Sequence, residues 1–157
     1  MRILCCGNRE RGDDGAGVLV ARRLRDFGIE AETRTGEALE LIEAWSGAKD
    51  VIVVDAVVTG APAGAVLCLE GRQVTGACSL PGSTHGFDVA EAIELARTLG
   101  RLPERLRIYG IEGQRFDLGT DVSPQVRRAV EEVARQIAAE CRRPTESNLG
   151  SATSPDL

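Results

Sequence analysis

Aromatic residues make up only 3% of this 157-residue sequence, so it has no stacking platform for nucleobases. No apolar run approaches the roughly 20 residues of a bilayer-spanning helix. The N-terminal "MRILCC" leads into a strand-like run that stops at Gly7, without the long apolar region and small-residue cleavage site of a secretory signal, so a cytoplasmic protein is expected. The five cysteines, Cys5, Cys6, Cys68, Cys78 and Cys141, are odd in number and form no C-x-x-C pair. This argues against a disulfide framework or structural zinc site and for reduced thiols, most of them small core residues. Net charge is −5 and the arginines alternate with acids, which leaves no basic patch for nucleic acid. A dinucleotide fingerprint is missing: "GNRERG" holds two glycines, Gly7 and Gly12, and the acids after it would repel a pyrophosphate. The G-x-S-x-G elbow of a serine hydrolase is missing as well, Ser83 merely standing two residues before His85. Cys78 is the one thiol outside the strand-like and helical runs, and nothing around it signals activation.

What is present is an ordinary globular composition, 43% hydrophobic and 27% charged, of a length that suits one domain. Short apolar runs at residues 3–6, 51–54 and 65–69 lack alternation, and a partly alternating run covers 106–111. Bounded by glycine or polar turns, such runs predict strands buried on both faces. The more polar "AETRT" at 31–35 predicts an edge strand. Helical spacing is clearest in Val126, Ala129, Val130, Val133, Ala134, Ile137, Ala138 and Cys141, with Ser123-Pro124 as N-cap and first helical residue. Weaker stripes run through 18–27, 38–45 and 89–99. The order predicts an α/β sandwich around a mostly parallel sheet. From Pro144 onward periodicity stops and small polar residues dominate, which predicts a disordered tail at 144–157 behind a single domain at 1–143.

Ligands of open α/β sheets bind at the carboxyl ends of the strands. Three polar clusters map there: Asp13 and Asp14 in "GDDGAG" after the first strand, Asp55 ending "VIVVD", and His85, the sole histidine, in "GSTHGFD" ahead of the third helix. Each has an ordinary alternative. An aspartate at a helix start caps it, an aspartate after an apolar strand forms a turn, and a lone histidine is commonly a surface or capping residue. Together, oxygen and imidazole donors at three strand ends suit a borderline divalent cation.

The stretches "MRILCCGNRERGDDGAGVLVARRL", "DVIVVDAV", "STHGFDVAEAIELA" and "IYGIEGQRFDLGTDVSPQVRRAV" together resemble the hydrogenase maturation endopeptidases, which remove the C-terminal extension of the [NiFe]-hydrogenase large subunit. The resemblance runs from Met1 to about Ala139 and implies a three-layer α/β/α fold with a mostly parallel central sheet of about five strands. It places three metal-binding and catalytic positions on Asp14, Asp55 and His85, and leaves Asp13 to cap the first helix and hold the loop. It further implies nickel as the ion, supplied by the large-subunit precursor, with other divalent metals able to replace it in the isolated protein, which is expected to be a monomer. Arg9 and Glu10 depart from the apolar or proline-containing pair usual in the family, which bears on the choice of substrate. Two other readings are a nickel-binding assembly factor that cuts nothing and a small nucleotide- or cofactor-binding module.

Overall fold

The computed structural model describes residues 1–74 and 86–143. His85, Ser83, Cys78 and the predicted tail at 144–157 lie outside the described residues.

The unbroken apolar runs become central strands because both sheet faces are covered. Strand β1 (Arg2–Cys6) is buried at four of its five positions and β3 (Asp50–Val57) at seven of eight. Around them lie α1 (Ala16–Asp26), β2 (Glu32–Arg34), α2 (Ala38–Trp45), β4 (Val66–Glu70), α3 (Gly86–Leu99), β5 (Arg105–Glu112) and α4 (Pro124–Arg142). The sheet order is β2-β1-β3-β5-β4, parallel except where β4 runs against β5.

Side chains alternate across each strand, and the two faces feed two separate cores. Ile3, Cys5, Ile52 and Val54 pack with Ala16, Val20 and Leu24 of α1 and with Val130, Val133 and Ile137 of α4. Leu4, Cys6, Val51 and Val53 pack with Leu41 and Trp45 of α2 and with Ala92 and Ile93 of α3. This is the three-layer α/β/α sandwich with a five-stranded, mostly parallel sheet. The polar "AETRT" supplies edge strand β2, as its composition predicts.

One strand differs from expectation. The run at 65–69 predicts a strand covered on both faces, yet β4 is the other edge, antiparallel, with Leu67 and Cys68 exposed. A five-residue apolar run carries no mark of strand direction or of a missing neighbour.

The amino edge of the sheet is tied by charge. Arg107 of β5 pairs with Asp50 of β3 at 3.1 Å and with Glu140 of α4, which also accepts from the Tyr109 hydroxyl at 2.7 Å. Burial and the neighbouring Glu140 carboxylate both hold the Tyr109 phenol above its ordinary pKa.

Candidate active site

The carboxyl edge is built differently. Leaving β1 at Cys6, the chain turns through Gly7, whose φ of 141° is open to glycine and whose Cβ, if present, would fall 2.0 Å from the Asp14 carbonyl oxygen. The loop therefore folds tightly onto a 3-10 turn, Gly12–Gly15, that carries both aspartates. The Asn8 amide donates to Asp14 at its side-chain Oδ2 and its carbonyl, each at 3.1 Å, which fixes that carboxylate at 1% exposure.

Asp55 reaches the same region from the sheet. It stands opposite Gly110 of β5 and two residues before the end of β3, so the strand does not stop at Asp55; it continues through Ala56 and Val57 because β5 runs alongside to Glu112. Its Oδ1 accepts from the Ala56 amide at 2.9 Å, and the residue is 2% exposed.

Cys6 shows that the two carboxylates share one neighbourhood. It lies one step past the Cys5–Val54 pair of β1 and β3, on the sheet face that alternation also gives to Asp55. Burial raises its thiol well above the ordinary value, and the negative charges of Asp55 and Asp14 push in the same direction. Cys5 on the opposite face is pushed up to about 12 by burial, against the opposing pull of Arg25. Neither thiol is a ready nucleophile. Among the described residues no group of three His, Cys, Asp or Glu is placed to hold a metal ion. His85, the expected third member, directly precedes α3 in the chain.

Asp13 does something other than cap α1. That helix starts from Gly15 with no side-chain cap. Asp13 instead binds a segment a hundred residues away. Its Oδ2 accepts from the amides of Gln114 at 2.8 Å and Arg115 at 2.9 Å and from the Ser123 hydroxyl at 2.8 Å, while Oδ1 accepts from the Ser123 amide at 2.7 Å. Burial alone would raise its pKa, but the hydrogen bonds prevail and hold it below the usual carboxylate value. Ser123, the N-cap of α4, consequently makes no side-chain cap of its own.

A fourth buried acid is absent from the sequence-derived set. Glu112 ends β5 at 3% exposure and accepts from the Thr59 amide at 2.8 Å, the Thr59 hydroxyl at 2.7 Å and the Gly60 amide at 3.1 Å. It clasps the loop that follows β3, just beyond Asp55. The criterion that selects Asp55, an acid closing an apolar strand, also selects Glu112.

An open hollow of about 690 Å³ lies at the opposite edge of the sheet, lined by Arg2, Arg25, Glu30 and Glu32 among others. It contains neither buried aspartate. The carboxyl edge is where buried acids from separate segments meet.

Residues 29–140, most of the chain, match the family model described as HycI, hydrogenase maturation protease. The chain belongs to this family of peptidases. Protein FrxA of Pyrococcus furiosus is 28% identical over 124 residues, spanning 76% of this chain and 88% of the relative. The [NiFe] hydrogenase maturation protease HybD from Thermococcus kodakarensis superposes with a TM-score of 0.73 at 26% identity, covering 91% of this chain and all of the other. The hydrogenase maturating endopeptidase HybD of Escherichia coli gives 0.74 at 24% identity over 94% of each chain, a likeness of fold. The family is one of hydrolases, and its fold is the α/β sandwich described above.

Proposed function

We propose that this protein is the endopeptidase that removes the C-terminal extension of a nickel-loaded [NiFe]-hydrogenase large-subunit precursor, and that Asp14, Asp55 and His85 contact the substrate's nickel. What supports this reading is the burial of Asp14 and Asp55, 1% and 2% exposed, at the carboxyl edge of a maturation-protease fold, where the charges of both act on the Cys6 thiol. Two carboxylates held out of water in one neighbourhood favour a cation against them, and carboxylate oxygens with an imidazole nitrogen suit a borderline divalent ion. The ion belongs to the precursor, where it polarises or marks the segment to be cut. The protein's own part is to present acids in a pre-set geometry, so that recognition favours a precursor that brings its cation with it. Other divalent metals bind the isolated protein weakly at the same three residues. The free thiols of the described residues suit a reducing cytoplasm, where the protein works as a monomer.

The test uses purified precursor with and without nickel, incubated with the wild type and with Asp14→Ala, Asp55→Ala and His85→Ala and followed by mass spectrometry. One cut near the C-terminus is expected only with nickel and only from the wild type. Equal cleavage of nickel-free precursor, or full activity in all three variants, would overturn the mechanism. Binding without cleavage by the wild type would make the protein an assembly factor.

A further inference from the structure

The loop that carries Asp14 is not alone at the edge. Residues 113–122 lie against it and are bolted to it at several points. The Asp13 amide donates to the Arg115 carbonyl at 2.7 Å, the Arg115 amide returns to Asp13 Oδ2, and the Gly119 amide donates to the Glu10 carbonyl at 2.8 Å. Contact is close enough that a Cβ on Gly12 would fall 2.4 Å from both the Arg115 carbonyl oxygen and the Thr120 hydroxyl. Backbone polar groups satisfied in this way make one continuous surface of two segments a hundred residues apart.

Two side chains stand out on that surface. Arg115 is exposed and makes no ion pair among the described residues, yet both polar groups of its backbone are held by Asp13. Leu118 is 71% exposed, more than any other large hydrophobic among the described residues. It sits between Asp117, whose carbonyl accepts from Thr120 at 2.6 Å, and Gly119, which is bonded to Glu10. A solitary exposed leucine is ordinary. One on a hydrogen-bonded tip three residues after an exposed arginine, both on the loop locked to Asp14's own, has the form of a preorganised contact, because little side-chain root or backbone freedom remains to be lost on binding.

We propose that residues 8–11 and 114–122 form the docking rim for the large-subunit precursor, with Arg115 taking a carboxylate on the precursor surface and Leu118 entering an apolar depression beside it. The proposal rests on the function proposed above and adds the surface that selects the substrate. Asp13 is the positioning residue that keeps rim and Asp14 in register. Arg9 and Glu10, exposed on the first of the two loops, extend the same rim.

The experiment measures cleavage kinetics and precursor affinity for wild type, Arg115→Ala/Leu118→Ala, Arg115→Glu and Arg115→Lys, with Arg142→Ala at the far end of α4 as control. The double variant is expected to raise KM and Kd about tenfold with kcat within about twofold and an unchanged unfolding temperature. Arg115→Glu should be worse than alanine, and Arg115→Lys should restore part of the loss. Unchanged KM and Kd in the double variant, while the wild type cuts or binds the precursor, would overturn the docking rim and leave the proposed function standing. Failure of the wild type to bind any precursor would remove both. Loss of a wild-type dimer in the Leu118 variant, with precursor affinity intact, would assign the surface to self-association and overturn the proposal.

Discussion

Ser123 gives both its donors to Asp13, the amide to Oδ1 at 2.7 Å and the hydroxyl to Oδ2 at 2.8 Å. The start of α4 is thereby tied to the turn that follows β1, across the carboxyl edge of the sheet. Removing the acceptor strands three amides and a hydroxyl, two of the four on Ser123, which is itself buried. Asp13→Ala is therefore expected to cost about 3 kcal/mol, lowering the unfolding temperature by roughly 6–12 °C. Ser123→Ala, which loses only the hydroxyl, should cost about 1 kcal/mol. Calorimetric unfolding of both variants checks the ratio.

The same carboxylate gives a pH dependence with a definite sign. Its folded pKa lies below the ordinary aspartate value of 3.8, because the hydrogen bonds outweigh burial. The folded state thus favours the ionised form, and this stabilisation is complete above the unfolded pKa. It is lost as pH falls from near 4 through the folded value. Unfolding temperature plotted against pH should drop more gently on the acid side in Asp13→Asn, which starts lower but has no such proton to take up.

Glu112 makes a more local prediction. In Glu112→Gln one acceptor oxygen becomes a donor facing the amides of Thr59 and Gly60. The loop after β3 should loosen, at a cost of about 2 kcal/mol. Hydrogen exchange at the Thr59 and Gly60 amides should accelerate, with exchange in the centre of β1 following the global stability.

Gly17 lies inside α1, where alanine ordinarily adds roughly 1 kcal/mol of stability. Here a Cβ would come 2.2 Å from the Cys6 carbonyl oxygen and 3.0 Å from its nitrogen, both backbone atoms that cannot swing away. The clash outweighs the propensity, and Gly17→Ala is expected to lose about 2 kcal/mol. A stabilised variant by denaturant titration would show that α1 can slide off β1.

Metal affinity is expected to separate the two adjacent aspartates. Calorimetry with Cd²⁺ on the isolated protein should show weak binding that Asp14→Asn and His85→Ala reduce about tenfold or more, whereas Asp13→Asn, whose carboxylate is committed to residues 114–123, should change it far less. Equal losses in Asp13→Asn and Asp14→Asn would show that the two carboxylates are not functionally distinct.

The parallel core was legible because continuous runs such as 51–54 have one stable solution, burial on both faces, and the last helix because its stripe persists over about four turns. Asp55 was legible as an acid in an apolar strand, although the strand passes beyond it, since length depends on the neighbour β5 rather than on local residues. Asp13 was not. Its partners are Gln114, Arg115 and Ser123, and no local pattern announces a bond across a hundred residues. Ser123 carries the signature of a helix cap and occupies that position, but its hydroxyl is spent on Asp13. Glu112 meets the criterion that selects Asp55, but nothing local marks the Thr59–Gly60 loop that it clasps.

Asp55 sits on the strand between β1 and β5, in the best-protected part of the molecule. Segments of this kind exchange their amides only when the whole domain opens, whereas loops and edges open on their own. Warming short of the global transition would thus disturb the 58–65 and 113–122 loops while the carboxylate stays in place. Affinity for the precursor should therefore fade, together with the register of Asp14 that Asp13 maintains, at temperatures where the amides around Asp55 still exchange only by global opening.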